Sequence, residues 1–283
     1  MRNIPGSGNK WLDVSAERFP GWIVSFGLRH GTGVAGPGGL TVRLADDRAA
    51  FEAPDGSVAE CYPPFPPAAG LAALPGLSGT GLSGTGAPPD QPAAVGPAAV
   101  TLAAVTPAAV TPATVGAAAV AAALAAHART PRTVGVLLVR LGGYAVGVFT
   151  GYPPALADSK TGSRLVHGRS AAGGWSQHRF ARRREKQVNE ALAAAADAAA
   201  AVFGRQPGAA GFDALVLGGD KRAVAELRDD PRLAPYLARA TDRFLTVPDP
   251  KRAVLEGTPK LFTAVRIWLT EAQAAPSRPT GSD

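Results

Sequence analysis

The chain has 283 residues, 46% of them hydrophobic and only 6% aromatic, which allows one large or two modest domains, each with a core of its own. One cysteine, Cys61, and four scattered histidines exclude a disulfide framework and a Cys/His metal cluster, so neither a metal nor another cofactor is expected. The net charge of +7 is concentrated in residues 160–186, where eight cations face the single acid Glu185 and leave the rest of the chain neutral. A basic patch this local is the footprint of a polyanionic partner, since a merely solvated face intersperses acids.

A reducing, cytoplasmic setting is expected. The opening residues, MRNIPGSGNKW, lack the apolar run of a signal peptide. The alanine-rich window 98–126 is broken by Pro107 and Pro112, so no membrane partner is expected.

Residues 10–63 read as a small helix-plus-hairpin unit. Ser15 can cap a helix through Trp22, Ile23, Phe26 and Leu28 that stops at Gly31, with Pro20 in its first turn or at a kink. LTVRLA and RAAFEAPDGSVAECY follow as strands, the latter folded back at Pro54-Asp55-Gly56. Residues 64–128 form an Ala/Pro/Gly-rich insert with a doubled GLSGTG and valines at every fifth position from Val95 to Val120. A period of five matches neither helix nor strand, so this insert is expected to be disordered or polyproline-like.

Residues 129–272 read as the main domain and 273–283 as a flexible tail. VGVLLVRL and YAVGVFTG form a hairpin across Gly142-Gly143, and a short third strand is expected around 155–159. A long helix starts near Gln177, keeps the apolar stripe Phe180, Val188, Leu192, Ala195, Ala199 and Val202, and ends at Gly204. FDALVLGG reads as a buried strand, DKRAVAELRDD as a helix capped by Asp220, RFLTVPDP as a last strand and PKLFTAVRIWLTEA as a closing helix. Alternating elements of this kind make an α/β class protein, a sandwich built on a mixed sheet.

The chemistry gathers before and along the long helix. Arg179, Arg182, Arg183 and Lys186 fall at i, i+3, i+4 and i+7 and form one stripe. Cations in the first turns oppose the helix dipole at roughly 0.3–1 kcal/mol each, a cost that reverses when a phosphate arrives at the same place. The preceding HGRSAAGG, with Arg169, Gly173 and Gly174, carries no bulky apolar anchor, and its glycines allow close backbone approach to a ligand. Trp175, Ser176, Gln177 and His178 then supply a stacking aromatic, a hydroxyl, a carboxamide and an imidazole. Trp175 can equally fold back onto the domain. Ser170 misses the G-x-S-x-G pattern, and the downstream His178 lies eight residues away, which argues against a serine triad. Gly218-Gly219-Asp220 is better explained as a plain strand-to-helix turn than as an anion site.

The stretch HGRSAAGGWSQHRFARRRE resembles the catalytic loop and following helix in the middle domain of eukaryotic and archaeal class-one peptide release factors, where a Gly-Gly-Gln tip precedes an Arg-Phe-Ala-Arg helix. Its longer Gly-Gly-x-Ser-Gln form is similar to the Vms-like release factor branch. These are peptidyl-tRNA hydrolases of ribosome-associated quality control, with actinobacterial members. The resemblance runs from about Thr133 to Leu269 and is specific over Leu165 to Glu185. It implies a ribonuclease H-like fold, catalytic roles for Gln177, Gly173 and Gly174, and RNA contacts from Arg169, Trp175, Ser176, His178, Arg179, Arg182, Arg183 and Lys186.

The implied activity is hydrolysis of the ester between peptide and tRNA on stalled ribosomes. The ribosome, peptidyl-tRNA and ribosomal RNA are the expected partners, and DNA is not. Cleavage of the tRNA near its 3′ end and a non-enzymatic RNA- or ribosome-binding role are the alternatives.

Overall fold

A computed structural model describes residues 9–31, 39–77, 116–140, 142–163, 176–207 and 211–272, the side chains of 176–185 aside. The protein is mixed α/β and is organised on two open five-stranded sheets.

The first sheet is antiparallel throughout. Its order is β1 (Asn9–Val14), β10 (Val265–Thr270), β4 (Val58–Tyr62), β3 (Ala49–Glu52) and β2 (Thr41–Leu44). One face carries Phe51, Ala59, Cys61, Val265, Ile267 and Leu269 into a core closed by α1 (Phe19–His30) and α2 (Ala117–Ala128). The other face presents Trp11, Glu60, Tyr62, Arg266 and Trp268.

PKLFTAVRIWLTEA is not a closing helix: a single helical turn, α7 (Pro259–Phe262), leads into β10, whose Val265, Ile267 and Leu269 are buried while Arg266, Trp268 and Thr270 are half-buried. That period of two, with β-branched residues, fits the slot between β1 and β4, and sheet pairing overrides the helical spacing of Leu261, Val265 and Trp268. The small unit at the N-terminus is therefore completed by the far end of the chain, and β1, which the sequence reading passed over, lies at its edge.

The insert is also ordered at both ends. Leu71, Leu74 and Leu77 are buried under the first core, and α2 occupies the last residues of the alanine-rich run. Ala117, Val120, Ala121, Leu124 and Ala128 recur at helical spacing, and alanine, the best helix former, lets α2 pack closely on α1. The remaining repeats, 78–115, lie outside the described residues, as does the tail 273–283. Nor does the Ser15 side chain cap α1. The helix starts at Phe19 with Pro20 beside it, and the Ser15 carbonyl accepts the N–H groups of Arg18 and Phe19 at 3.0 Å each.

The second sheet is mixed, in the order β7 (Ala155–Ser163), β6 (Gly143–Gly151), β5 (Arg132–Arg140), β8 (Ala214–Gly219) and β9 (Ala240–Leu245). β5, β6 and β7 form antiparallel pairs, while β8 runs parallel to both β5 and β9. Side chains alternate across β5: Leu137 and Val139 enter the core under α3 (Ser176–Phe203) and α4 (Lys221–Glu226), while Val134, Val136 and Leu138 enter the opposite core with Phe149, Phe262 and Leu255 of α6 (Arg252–Glu256). α5 (Ala234–Leu237) precedes β9 on the α3 side.

The two units are tied together through Arg243 of β9. Its Nη1 donates to the carbonyls of Leu261 and Ala264 at 2.7 and 2.8 Å, and Nη2 reaches Asp13 of β1 at 3.4 Å. Burial pulls its guanidinium down to about 10, against the Asp13 charge that raises it.

Candidate functional site

The expected functional stretch is carried by α3. Its 28 residues span about 42 Å at about 1.5 Å per residue. The C-terminal half is held on β6 and β7 by Ala195, Ala196, Ala198, Ala199, Val202 and Phe203, all buried. Toward the N-terminus burial fades: Val188 and Leu192 are half-buried over Val139 and Ala223, and Lys186 is exposed. The helix backbone continues from Val188 to Ser176, about 18 Å at the same rise. The sheet thus grips the C-terminal half of the helix.

The helical positions sort by azimuth. At about 100° per residue, Arg179, Arg182, Arg183 and Lys186 share one side of α3, and Ala195, nine residues beyond Lys186, lies on the opposite side within the buried stripe. Gln177 stands five full turns before Ala195, so its backbone position shares the azimuth of the sheet-facing stripe. No acid occupies the first turn of α3, so the positive end of the helix dipole is unopposed there. The first N–H groups of any helix also have no intrahelical acceptor.

Of the residues singled out in the sequence, Arg169, Gly173, Gly174 and Trp175 lie outside the described residues. So do the side chains of Ser176, Gln177, His178, Arg179, Arg182 and Arg183; their backbones form the start of α3. Gly218-Gly219-Asp220 is a strand-to-helix turn, as read. Gly219 has φ +99°, and a Cβ there would stand 2.1 Å from the Val139 carbonyl oxygen. Asp220 caps α4 by accepting the N–H of Arg222 at 2.8 Å.

A cleft of about 600 Å³, unmarked by any sequence motif, lies between the two sheets. It is lined by Trp11, Tyr62, Phe65, His127, Arg132, Arg239, Thr241, Asp242, Arg243 and Arg266, among others. These residues span more than 250 positions, and no local motif joins them. His127 donates from Nε2 to the Phe65 carbonyl at 2.8 Å, and burial lowers its pKa, which favours the neutral ring. Among the described residues no group of three or more His, Cys, Asp or Glu side chains could hold a metal ion, and no helix is long and apolar enough to cross a membrane.

The described domain is a mixed sheet crossed by a long helix whose first turns carry Arg179, Arg182 and Arg183 in the sequence. Residues 132–268 match the Actinobacteria/chloroflexi VLRF1 release factor family, from the first residue of β5 into β10, which supports a Vms-like actinobacterial release factor family for the domain built on the mixed sheet. That match supports a ribosome-associated, release-factor-like role. No curated protein matches the chain.

Proposed function

We propose that the chain is a cytoplasmic peptidyl-tRNA hydrolase of ribosome-associated quality control, releasing nascent peptide from tRNA on stalled ribosomes through its Gly-Gly-x-Ser-Gln loop. The observation that carries this reading is the family match over the domain that contains Gln177, whose backbone lies in the first turn of α3. The mixed sheet with helices on both faces supports the ribonuclease H-like, release-factor middle-domain architecture that the resemblance implies.

A glutamine amide is neither an acid nor a base near neutrality, so Gln177 works by position. Its carbonyl orients a water, and its N–H₂ group or the free N–H groups of the first helical turn donate to the oxyanion that develops on the ester carbonyl. The water oxygen bonds to the carbonyl carbon and the bond to the ribose oxygen breaks. The proton given up by water reaches that oxygen through the neighbouring ribose hydroxyl. Gly173 and Gly174 let the loop backbone approach the ester. Arg169, Trp175, Ser176, His178, Arg179, Arg182, Arg183 and Lys186 hold the tRNA acceptor end or ribosomal RNA, with the stripe on the far side of the helix from the glutamine position.

The test is single-turnover release from stalled peptidyl-tRNA–ribosome complexes, with the tRNA product analysed. Wild type yields free peptide and full-length tRNA, whereas Gln177→Ala still binds the complex and releases at least ~100-fold more slowly, the scale of removing one oxyanion donor. Unchanged release by Gln177→Ala would sink the assignment. A tRNA shortened at its 3′ end would replace ester hydrolysis by endonucleolytic cleavage.

A further inference from the structure

The cleft between the sheets plays no part in the reaction above, yet its walls combine three chemistries. One wall is aromatic. Trp11 is 50% exposed, and its ring lies 4.9 Å from Trp268 and 5.6 Å from Tyr62, with the Arg266 guanidinium 5.0 Å over it. A tryptophan left half in water on an outward sheet face offers a stacking surface for a planar ring.

The second chemistry is cationic. Arg132 lies 5.2 Å over the Phe65 ring and is held by the carbonyls of His127 and Thr130 at 3.0 and 3.1 Å. Arg239 is exposed and, among the described residues, is anchored through Nη1 to the Phe212 carbonyl at 3.2 Å, so the rest of its fork is available. Two residues lining the cleft, Arg266 and Thr241, also hold a buried polar atom without a hydrogen-bond partner among the described residues: Arg266 Nε, with Asp13 3.8 Å away, and Thr241 Oγ1.

The third chemistry is acidic, and it narrows the ligand. Asp47 is paired with Arg48 at 3.1 Å, and Asp213 accepts the Thr133 N–H at 2.6 Å. Asp242 is exposed and makes no ion pair among the described residues. A bare anion would be opposed by these carboxylates, and an apolar ligand would leave the guanidiniums idle. A ribonucleotide uses all three: its base stacks, its phosphate takes charge-assisted bonds from arginine, and its hydroxyls donate to a carboxylate. About 600 Å³ also lies within the usual range for such ligands.

We infer that the cleft is a ribonucleotide-binding site, with the base against Trp11 and Tyr62, the phosphate on Arg239 and Arg266, and a ribose hydroxyl on Asp242. The nucleotide is either free or an unpaired unit of an RNA strand.

Calorimetric titration of the full chain with the four ribonucleoside 5′-monophosphates, their 2′-deoxy counterparts and a short unstructured oligoribonucleotide tests this. The oligonucleotide arm is run in an Arg182→Ala/Arg183→Ala background to remove the basic helix. Saturable binding that Trp11→Ala and Arg239→Ala each weaken at least ~10-fold, at an unchanged unfolding midpoint, is the expected result. Asp242→Asn should erase the preference for ribose over deoxyribose. Binding of monophosphates assigns a free nucleotide, and binding of the oligonucleotide alone assigns a strand. The inference is overturned if neither probe binds, or if Trp11→Ala and Arg239→Ala bind as wild type does. Gln177→Ala leaves this affinity intact whatever its release rate, so failure here and failure of the hydrolase reading are read separately.

Discussion

The hydroxyl of Tyr152, just past β6 in the mixed sheet, donates to the carboxylate of Glu17 ahead of α1. This contact stitches the two units at a second place, away from Arg243. Burial, followed by the Glu17 hydrogen bond, pushes the phenol up to about 12, and the Tyr152 hydrogen bond leads the causes that hold Glu17 below the usual carboxylate range.

The signs follow from proton binding. Glu17 binds its proton more weakly when folded, so its contribution is present above the unfolded glutamate value of about 4.3 and is lost as pH falls through the lower folded value. Tyr152 binds its proton more tightly when folded, so its contribution is complete below the unfolded value of about 10 and drains away as pH rises toward about 12. Tyr152→Phe should cost about 1 kcal/mol or less near neutrality, because the pair is largely solvated. It should also flatten both limbs. Urea denaturation midpoints across pH would measure this; parallel profiles for variant and wild type would contradict it.

Gly219 should tolerate no side chain. Its φ of +99° and the 2.1 Å approach to backbone rather than to a movable side chain mean that an added Cβ must displace β5 or β8. Gly219→Ala should lose roughly 3 kcal/mol or more, combining left-handed strain with overpacking. Asp220→Ala, one residue on, should lose only about 1 kcal/mol as a missing helix cap. Thermal unfolding of the two variants side by side would show whether that order holds.

The basic stripe makes a prediction about salt. If Arg182 and Arg183 each neutralise a phosphate, the double alanine variant should lower the slope of log K against log salt by roughly 1.4 to 1.8 in binding to ribosomal complexes or tRNA. An unchanged slope would place the RNA contacts elsewhere on the chain.

Much of the mixed sheet was legible because β5, β6 and β8 are apolar runs closed by glycine turns and the long helix keeps one period for 28 residues. The stripe opposite Ala195 follows from the same period. The alanine run before Thr130 was harder to read: valine spacing pointed away from a helix, while residues 117–128 carry no proline and pack a helical stripe against α1. β10 was misread because Leu261, Val265 and Trp268 satisfy helical spacing as well as alternation satisfies a strand. The decision depends on a vacant slot between β1 and β4, and no local window contains that information. The cleft was invisible for the same reason, since Trp11 and Arg266 meet only through strand pairing.

The position of β10 also gives the chain an order of completion. Val265–Thr270 pairs with β1 on one side and β4 on the other, so strands made first must wait until residue 265 and those after it are made before their sheet can close. Such long-range pairing slows folding and leaves open strand edges meanwhile. A product cut short before residue 265 would lack the middle of its first sheet, so chains that stop early do not yield a folded N-terminal unit on their own.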